Sequence, residues 1–325
     1  MIADLKRLFI ISRPEFIPAN MGSLIIGLAW GFNALSGFSF KLLVTTFLSL
    51  LVIIIVSLVG AQINTLSDFE LDSTDPRKKE ITQNLKELGP KNVKMAILFE
   101  LLLSAILVSL LTFMSGQYIQ LTIYISALIL TQAYSAPPLR LKGRSTLSMI
   151  SLSLVLSVLP AIFIYLTFTN EFSMLFILFL IGQTLTVYSL IIPTETRDYF
   201  VDKAMRLKTM AVWLGLSRAT LLAIALLALG ATLSISAFLM TPVITKNPLL
   251  MLAPFTMVGA DLYIFREYFK LYNLAKRHEA EEVDSKGLIG EMMVELSSEN
   301  PKWITITTQA IIFVNLIYLA GKIFL

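Results

Sequence analysis

The chain has no cysteine and a single histidine, His278, in 325 residues. The first absence excludes disulfides and thiolate metal sites, and the two together exclude the Cys/His ligand sets of zinc centres. Charge is also scarce, at 15% of residues, where a soluble domain carries roughly 25%. Only eight residues are Asp, so any clustering of them is informative. No alternation of apolar and polar residues runs through the apolar stretches, which argues against a β-barrel. The start, "MIADLKRLFIISRPEF", lacks an apolar core followed by a small-residue cleavage site, so the first span is expected to act as its own anchor.

What the chain does have is apolar bulk: 56% hydrophobic residues and a mean hydropathy of +0.77. That composition belongs to an integral membrane protein. A helix needs about 20 mostly apolar residues to cross a bilayer. Nine stretches fit, near 16–36, 41–64, 92–113, 118–134, 146–168, 172–194, 218–240, 247–266 and 302–324. The expected fold is therefore all-α, polytopic, with nine transmembrane helices. We read residues 1–325 as a single transmembrane domain. It contains possible parallel halves, about 16–134 and 146–266, and a final helix, 302–324.

Lys and Arg set the orientation. The N-terminus and the loops after the second, fourth, sixth and eighth spans hold 23 of the 26 basic residues; Lys41, Lys246 and Lys322 are left for the other side. The rich side is expected in the cytoplasm of a cell-membrane protein. The long polar loops, 65–91, 134–145, 195–217 and 267–301, lie on that side, so the chemistry is expected there. Loop 267–301 reads as a charged helix, a break near Gly287 and a mildly amphipathic piece at the interface.

Acidic residues gather where spans end. After the second span comes "NTLSDFELD", with Asn64, Asp68 and Asp72 four apart and Glu70 and Asp75 nearby. Spacing of four places the first three on one helical face and turns Glu70 away. After the sixth span comes "TETRDYFVD", with Glu195, Asp198 and Asp202. The Asp pairs are offset by 130 residues, or four spans, which preserves orientation and suggests parallel repeats. A solvated acidic face is the plainer reading of either cluster alone. Two opposed clusters of carboxylates, however, repel one another unless cations intervene. Mg²⁺ prefers oxygen ligands and commonly takes one or two carboxylates plus phosphate oxygens. A third segment, "YSAPPLRLKGR" after the fourth span, adds Tyr134, Arg140, Lys142 and Arg144 to the same side. Arg binds phosphate bidentately and Lys as a point charge, although a basic loop is also what the positive-inside rule produces. Acids for metal, cations for phosphate and a greasy bundle beyond them suggest a pyrophosphate carried on a long apolar chain. Departure of pyrophosphate from an allylic carbon leaves a carbocation, which aromatic faces can stabilise. Phe69, Tyr134, Tyr188 and Tyr199 lie near the motifs, in positions equally suited to packing.

At these residues the sequence resembles the UbiA superfamily of intramembrane prenyltransferases. "NTLSDFELD" is similar to the family's N-x-x-x-D-x-x-x-D. "TETRDYFVDKAMRLKTMAVWLG" is similar to its second Asp motif, through Thr209 to Gly215. "YSAPPLRLKGR" is similar to one version of its basic motif. Two departures stand out: Thr194-Glu195 replaces the usual Asn-Asp, and "RKKEITQNLKELGPKN" replaces an Arg-Pro-x-Pro-Ser-Gly segment. The resemblance implies nine helices around a central cavity and Mg²⁺-dependent transfer of a polyprenyl group from a prenyl diphosphate to a lipophilic acceptor. An aromatic quinone precursor or a glycerol lipid would serve. It implies Asp68, Asp72, Asp198 and Asp202 as catalytic and metal-binding residues, with Asn64 as a further metal ligand. Asn64, Arg140, Lys142, Tyr134, Arg77 and Lys208 would bind the diphosphate. Nucleic acid is not an expected partner. A terpene cyclase or a lipid-phosphate phosphoribosyltransferase of the same family is the alternative. A transporter using the intramembrane acids Glu100 and Asp261 fits less well, because the acids cluster at one face rather than at the midplane.

Overall fold

The computed structural model describes residues 2–14, 17–35, 39–74, 78–241, 252–280 and 287–324. Helix makes up 87% of the structure, and no strand occurs among the described residues. In chain order the helices are α1 (Ile2–Ile11), α2 (Ile17–Asn33), α3 (Phe40–Ser67), α4 (Phe69–Asp72), α5 (Lys79–Leu88), α6 (Pro90–Ser115) and α7 (Tyr118–Ser135). They continue with α8 (Thr146–Ser153), α9 (Leu159–Tyr165), α10 (Met174–Arg197), α11 (Tyr199–Ala204), α12 (Met210–Leu214) and α13 (Leu216–Leu239). The last three are α14 (Leu252–Ala280), α15 (Leu288–Ser298) and α16 (Asn300–Phe324). A π-helical turn, Leu154–Val158, joins α8 to α9.

The nine expected stretches are largely helical over their described residues, with non-helical ends at 34–35, 166–168, 172–173 and 240. Five helical runs are long and apolar enough to cross a membrane by length and composition: α3, α6, α8–α9, α10 and α13. Helix is dictated here because a segment in hydrocarbon must satisfy every backbone N–H and C=O internally. Residues such as Leu98, Phe99, Leu102, Ile106 and Phe113 on α6 remain exposed, which suits a lipid-facing surface. The loop at 267–301 follows the expected pattern: α14 runs on to Ala280, and Gly287 precedes α15.

The helices close a ring in the order α2, α9 with the π-helical turn before it, α10, α13, α14, α16 and back to α2; α3 and α7 pack beside α9, and α6 packs against α3 and α7. At one crossing α10 and α13 meet almost backbone to backbone. A Cβ added at Gly230 would lie 2.6 Å from the Thr186 hydroxyl and 2.7 Å from the Gly182 carbonyl. Small residues allow such approach, and it substitutes for the hydrophobic drive that lipid cannot supply.

Two prolines inside spans show how the bundle repairs itself. Proline lacks an N–H, so the carbonyl four residues earlier loses its helical donor. Pro160 strips Leu156, and the Ser23 hydroxyl of α2 donates to the Leu156 carbonyl at 2.5 Å. Pro193 strips Ser189, and the buried Tyr268 hydroxyl of α14 donates to the Ser189 carbonyl at 3.0 Å. Asn300 of α16 adds a donor to the Leu190 carbonyl at 3.1 Å. The end of α10, which carries the second acidic motif, is thereby held by two other helices.

Candidate functional site

Each acidic motif begins at the same kind of backbone break. The expected uninterrupted helix does not run through either one. α3 stops at Ser67, Asp68 takes φ −102° and ψ 4°, and α4 restarts at Phe69. α10 stops at Arg197, Asp198 takes φ −97° and ψ 5°, and α11 restarts at Tyr199. The turn still closes: the Asp72 N–H donates to the Asp68 carbonyl at 2.7 Å, and the Asp202 N–H to the Asp198 carbonyl at 2.9 Å. Asp68, Asp72 and Asp202 end up 7%, 2% and 9% exposed, whereas Glu70 is exposed.

The carboxylates meet cations from three segments. Lys142 contacts Asp68 Oδ1, and Arg140 Nη2 lies 3.5 Å from the same atom. Lys78 Nζ is 2.6 Å from Asp72 Oδ1. Arg197 forms a fork on Asp198, with Nε–Oδ1 at 3.1 Å and Nη2–Oδ2 at 3.0 Å. Asn64 Oδ1 accepts from the Ser135 hydroxyl at 3.1 Å, which ties the first motif to the end of α7. Tyr134 hydrogen-bonds Ser148 and lies within electrostatic reach of Glu195, Asp202 and Arg13.

The basic loop is stitched to the second motif. Arg140, Ser145 and Arg206 all adopt left-handed backbone, at φ 39°, 43° and 57°. Such conformations cost about 1–3 kcal/mol each and persist only where surroundings over-determine them. The surroundings here are reciprocal bonds: the Ser145 N–H to the Lys208 carbonyl at 2.6 Å and the Lys208 N–H to the Gly143 carbonyl at 3.3 Å. This pairing aligns Arg144 with Lys208 in an isolated bridge. Asp202 and Lys142 consequently influence each other. Burial, aided by the charge on Asp198, pushes the Asp202 carboxyl up to about 6. Burial pulls the Lys142 ammonium down to about 8, with Asp202 opposing that shift.

Glu195 stays within electrostatic reach of Asp198 and Asp202, but its carboxylate is engaged by backbone. Its Oε2 accepts from the Met210 and Ala211 N–H groups at 2.7 and 3.3 Å, so it anchors the start of α12, which Thr209 caps. Glu100 is also engaged structurally: Gln62 Nε2 donates to it and to the Ser12 hydroxyl, both at 3.1 Å, linking α6, α3 and the end of α1. Asp261 lies nineteen residues before the end of α14. It lines a void with Gln183 and Thr186 of α10. Arg77 lies outside the described residues. Sequence reasoning missed Lys78 and Arg197 as partners of the acids; their only signal was adjacency to the motifs.

The donor set suits a divalent ion in one form. Among the described residues no three carboxylates or histidines converge on one point. A site here would take the Asp residues of a motif plus oxygens from an anionic ligand, the usual arrangement for Mg²⁺. Arg140 Nε is buried with no hydrogen-bond partner, a free donor beside the acids for such an anion.

The model of the UbiA prenyltransferase family matches residues 23–281. No curated protein matches. Among solved structures, a UbiA homologue from Archaeoglobus fulgidus aligns with 18% identity and a TM-score of 0.63, covering 98% of this chain and 99% of its own. The same homologue bound to GPP and Mg²⁺ aligns with 18% identity and a TM-score of 0.57, covering 93% and 99%. A digeranylgeranylglyceryl phosphate synthase aligns with 16% identity and a TM-score of 0.60, covering 99% of each chain. The family match spans most of the chain and includes both acidic motifs and the basic loop between them; this protein belongs to the UbiA prenyltransferase family.

Proposed function

We propose that this membrane protein transfers a polyprenyl group from a prenyl diphosphate to a lipophilic acceptor, with Mg²⁺. The observation that carries the reading is that two Asp pairs, each opening at the same backbone break, reach one basic loop, Asp68 through contact with Lys142 and Asp202 through its charge on Lys142. Asp68, Asp72, Asp198 and Asp202, with Asn64, are the residues to hold metal. When bound, the ions neutralise charge on the diphosphate and on the pyrophosphate that leaves. Arg140 and Lys142 bind phosphate oxygens from the opposite side, with Lys208 and Arg77 as further cations and Tyr134 at the wall. In the transfer the allylic C–O bond breaks, its electron pair leaves on pyrophosphate, and the acceptor bonds to the freed carbon and loses a proton. The chain's task is to grip the leaving oxygens and keep the cationic carbon from water inside the bundle.

The neighbours that bind GPP or DMAPP with Mg²⁺ support this substrate class. The synthase neighbour makes a glycerol lipid the first acceptor to screen, ahead of aromatic quinone precursors. We place the active face and the N-terminus in the cytoplasm, on the distribution of Lys and Arg. Purified protein with a labelled C20 diphosphate and native lipid extract should yield a labelled lipid only when Mg²⁺ is present. Asp68→Asn and Asp198→Asn should each abolish it. Full activity in both variants would sink the assignment, and a product lacking the acceptor mass would indicate cyclisation instead.

A further inference from the structure

Far from the acidic motifs, three helices turn oxygen atoms onto one small void. Asp261 of α14, Gln183 and Thr186 of α10, and Thr307 of α16 line it, with Met257 and Ala260 closing a side. Gln183 is 1% exposed, Thr307 3% and Asp261 7%. Gln183 Oε1 and Thr307 Oγ1 are buried with no hydrogen-bond partner. Among the described residues no basic residue is available to the carboxylate: 174–194 of α10, 219–239 of α13 and 303–321 of α16 contain no charged residue. On α14 itself the next charges, Arg266 and Glu267, lie more than a turn toward the cytoplasm, where Glu267 pairs with Lys270.

The site is separate from the proposed chemistry. Gln183 precedes Asp198 by fifteen residues, about 22 Å of helix. None of the four Asp residues of the motifs lines the void.

An uncompensated carboxylate in hydrocarbon is costly, and such acids pair, lose their charge or bind an ion. The void has room for about one water-sized occupant. A lone water would leave the charge in place. A divalent ion takes more oxygens and more negative charge than one carboxylate supplies. One carboxylate with neutral amide and hydroxyl oxygens matches a single positive charge. The geometry points to an intramembrane site for a sodium-sized monovalent cation, bound by Asp261, Gln183 Oε1 and Thr307 Oγ1 between α10, α14 and α16. The ion would join three helices of the ring and so stabilise the bundle.

The test is thermal unfolding of the full chain in detergent, with EDTA and no diphosphate, in NaCl or choline chloride at equal ionic strength. The wild type should gain about 3 °C in Tm from sodium, saturably. Asp261→Asn should lose the sodium response, and Thr307→Val should weaken it. Asp198→Asn, which bears on the transferase reading alone, should keep it. Equal Tm in both salts for the wild type, the outcome for an acid that simply holds a proton, overturns the site. So does a sodium response that persists in Asp261→Asn. If Asp261→Asn does not fold, direct ²²Na⁺ binding to the wild type and to Thr307→Val decides: no saturable binding, or equal affinity in the two, overturns it.

Discussion

Lys142 is the residue on which the candidate site turns. It meets Asp68 directly, feels Asp202, and belongs to a loop bonded to the second motif. A charge-assisted hydrogen bond contributes about 1.5–3 kcal/mol, so Lys142→Ala should raise KM for the prenyl diphosphate about 10- to 100-fold in steady-state assays. Arg140→Ala should follow with a smaller rise, because Arg140 is farther from Asp68 and more exposed. The pH profile follows from burial. Asp202, pushed up to about 6, takes a proton below that pH and loses its negative charge. Lys142, drawn down to about 8, loses its proton above that pH and its grip on phosphate. The profile of kcat/KM should therefore be bell-shaped, with limbs near pH 6 and 8. Higher Mg²⁺ should move the acid limb downward, since ion and proton compete for Asp202. Asn64, Asp68, Asp72, Asp198 and Asp202 were legible as a constellation because spacing of four is a local signal. Lys78 was not, because its pairing with Asp72 depends on how the chain turns after α4.

Helices here are specified by apolar runs and held by the polar atoms that interrupt them. Pro160 and Pro193 are visible in the sequence as defects; the donors that repair them, Ser23 and Tyr268, come from helices remote in the chain. Removing one such bond should cost about 1 kcal/mol, or somewhat more with the carbonyl left buried. Tyr268→Phe should lower the thermal midpoint in detergent accordingly. It should also loosen the end of α10 that bears Asp198, lowering kcat more than a comparable loss elsewhere. At the α10–α13 crossing a larger side chain has nowhere to go. Gly230→Leu should destabilise by more than the roughly 1–3 kcal/mol of ordinary overpacking, because backbone faces backbone. A polar-to-apolar control at exposed Ser109, whose hydroxyl only bonds its own helix, should change little.

Over the whole molecule, the near-absence of basic residues from one side carries the orientation. The missing cysteines make it testable. Asn170→Cys and Lys86→Cys are both at exposed positions in an otherwise thiol-free chain. A membrane-impermeant maleimide should label Asn170→Cys in intact cells and Lys86→Cys only in inverted vesicles. The reverse pattern would place the acidic motifs outside. Ring closure between α2 and α16 was not legible, because these helices lie near opposite ends of the sequence and nothing local records their contact.

The sequence by itself determined membrane residence, helical content, the charge asymmetry and the clustering of the Asp pairs on the side of one basic loop. These follow from solvent and from short-range geometry: hydrocarbon forces backbone bonds inward, and a helix repeats every 3.6 residues. The tertiary structure decided which cation meets which carboxylate, that Glu195 anchors the start of a helix, and that Asp261 faces a void with no basic partner among the described residues. Those outcomes depend on the rotation and register of helices against one another, which are set by packing contacts between residues far apart in the chain.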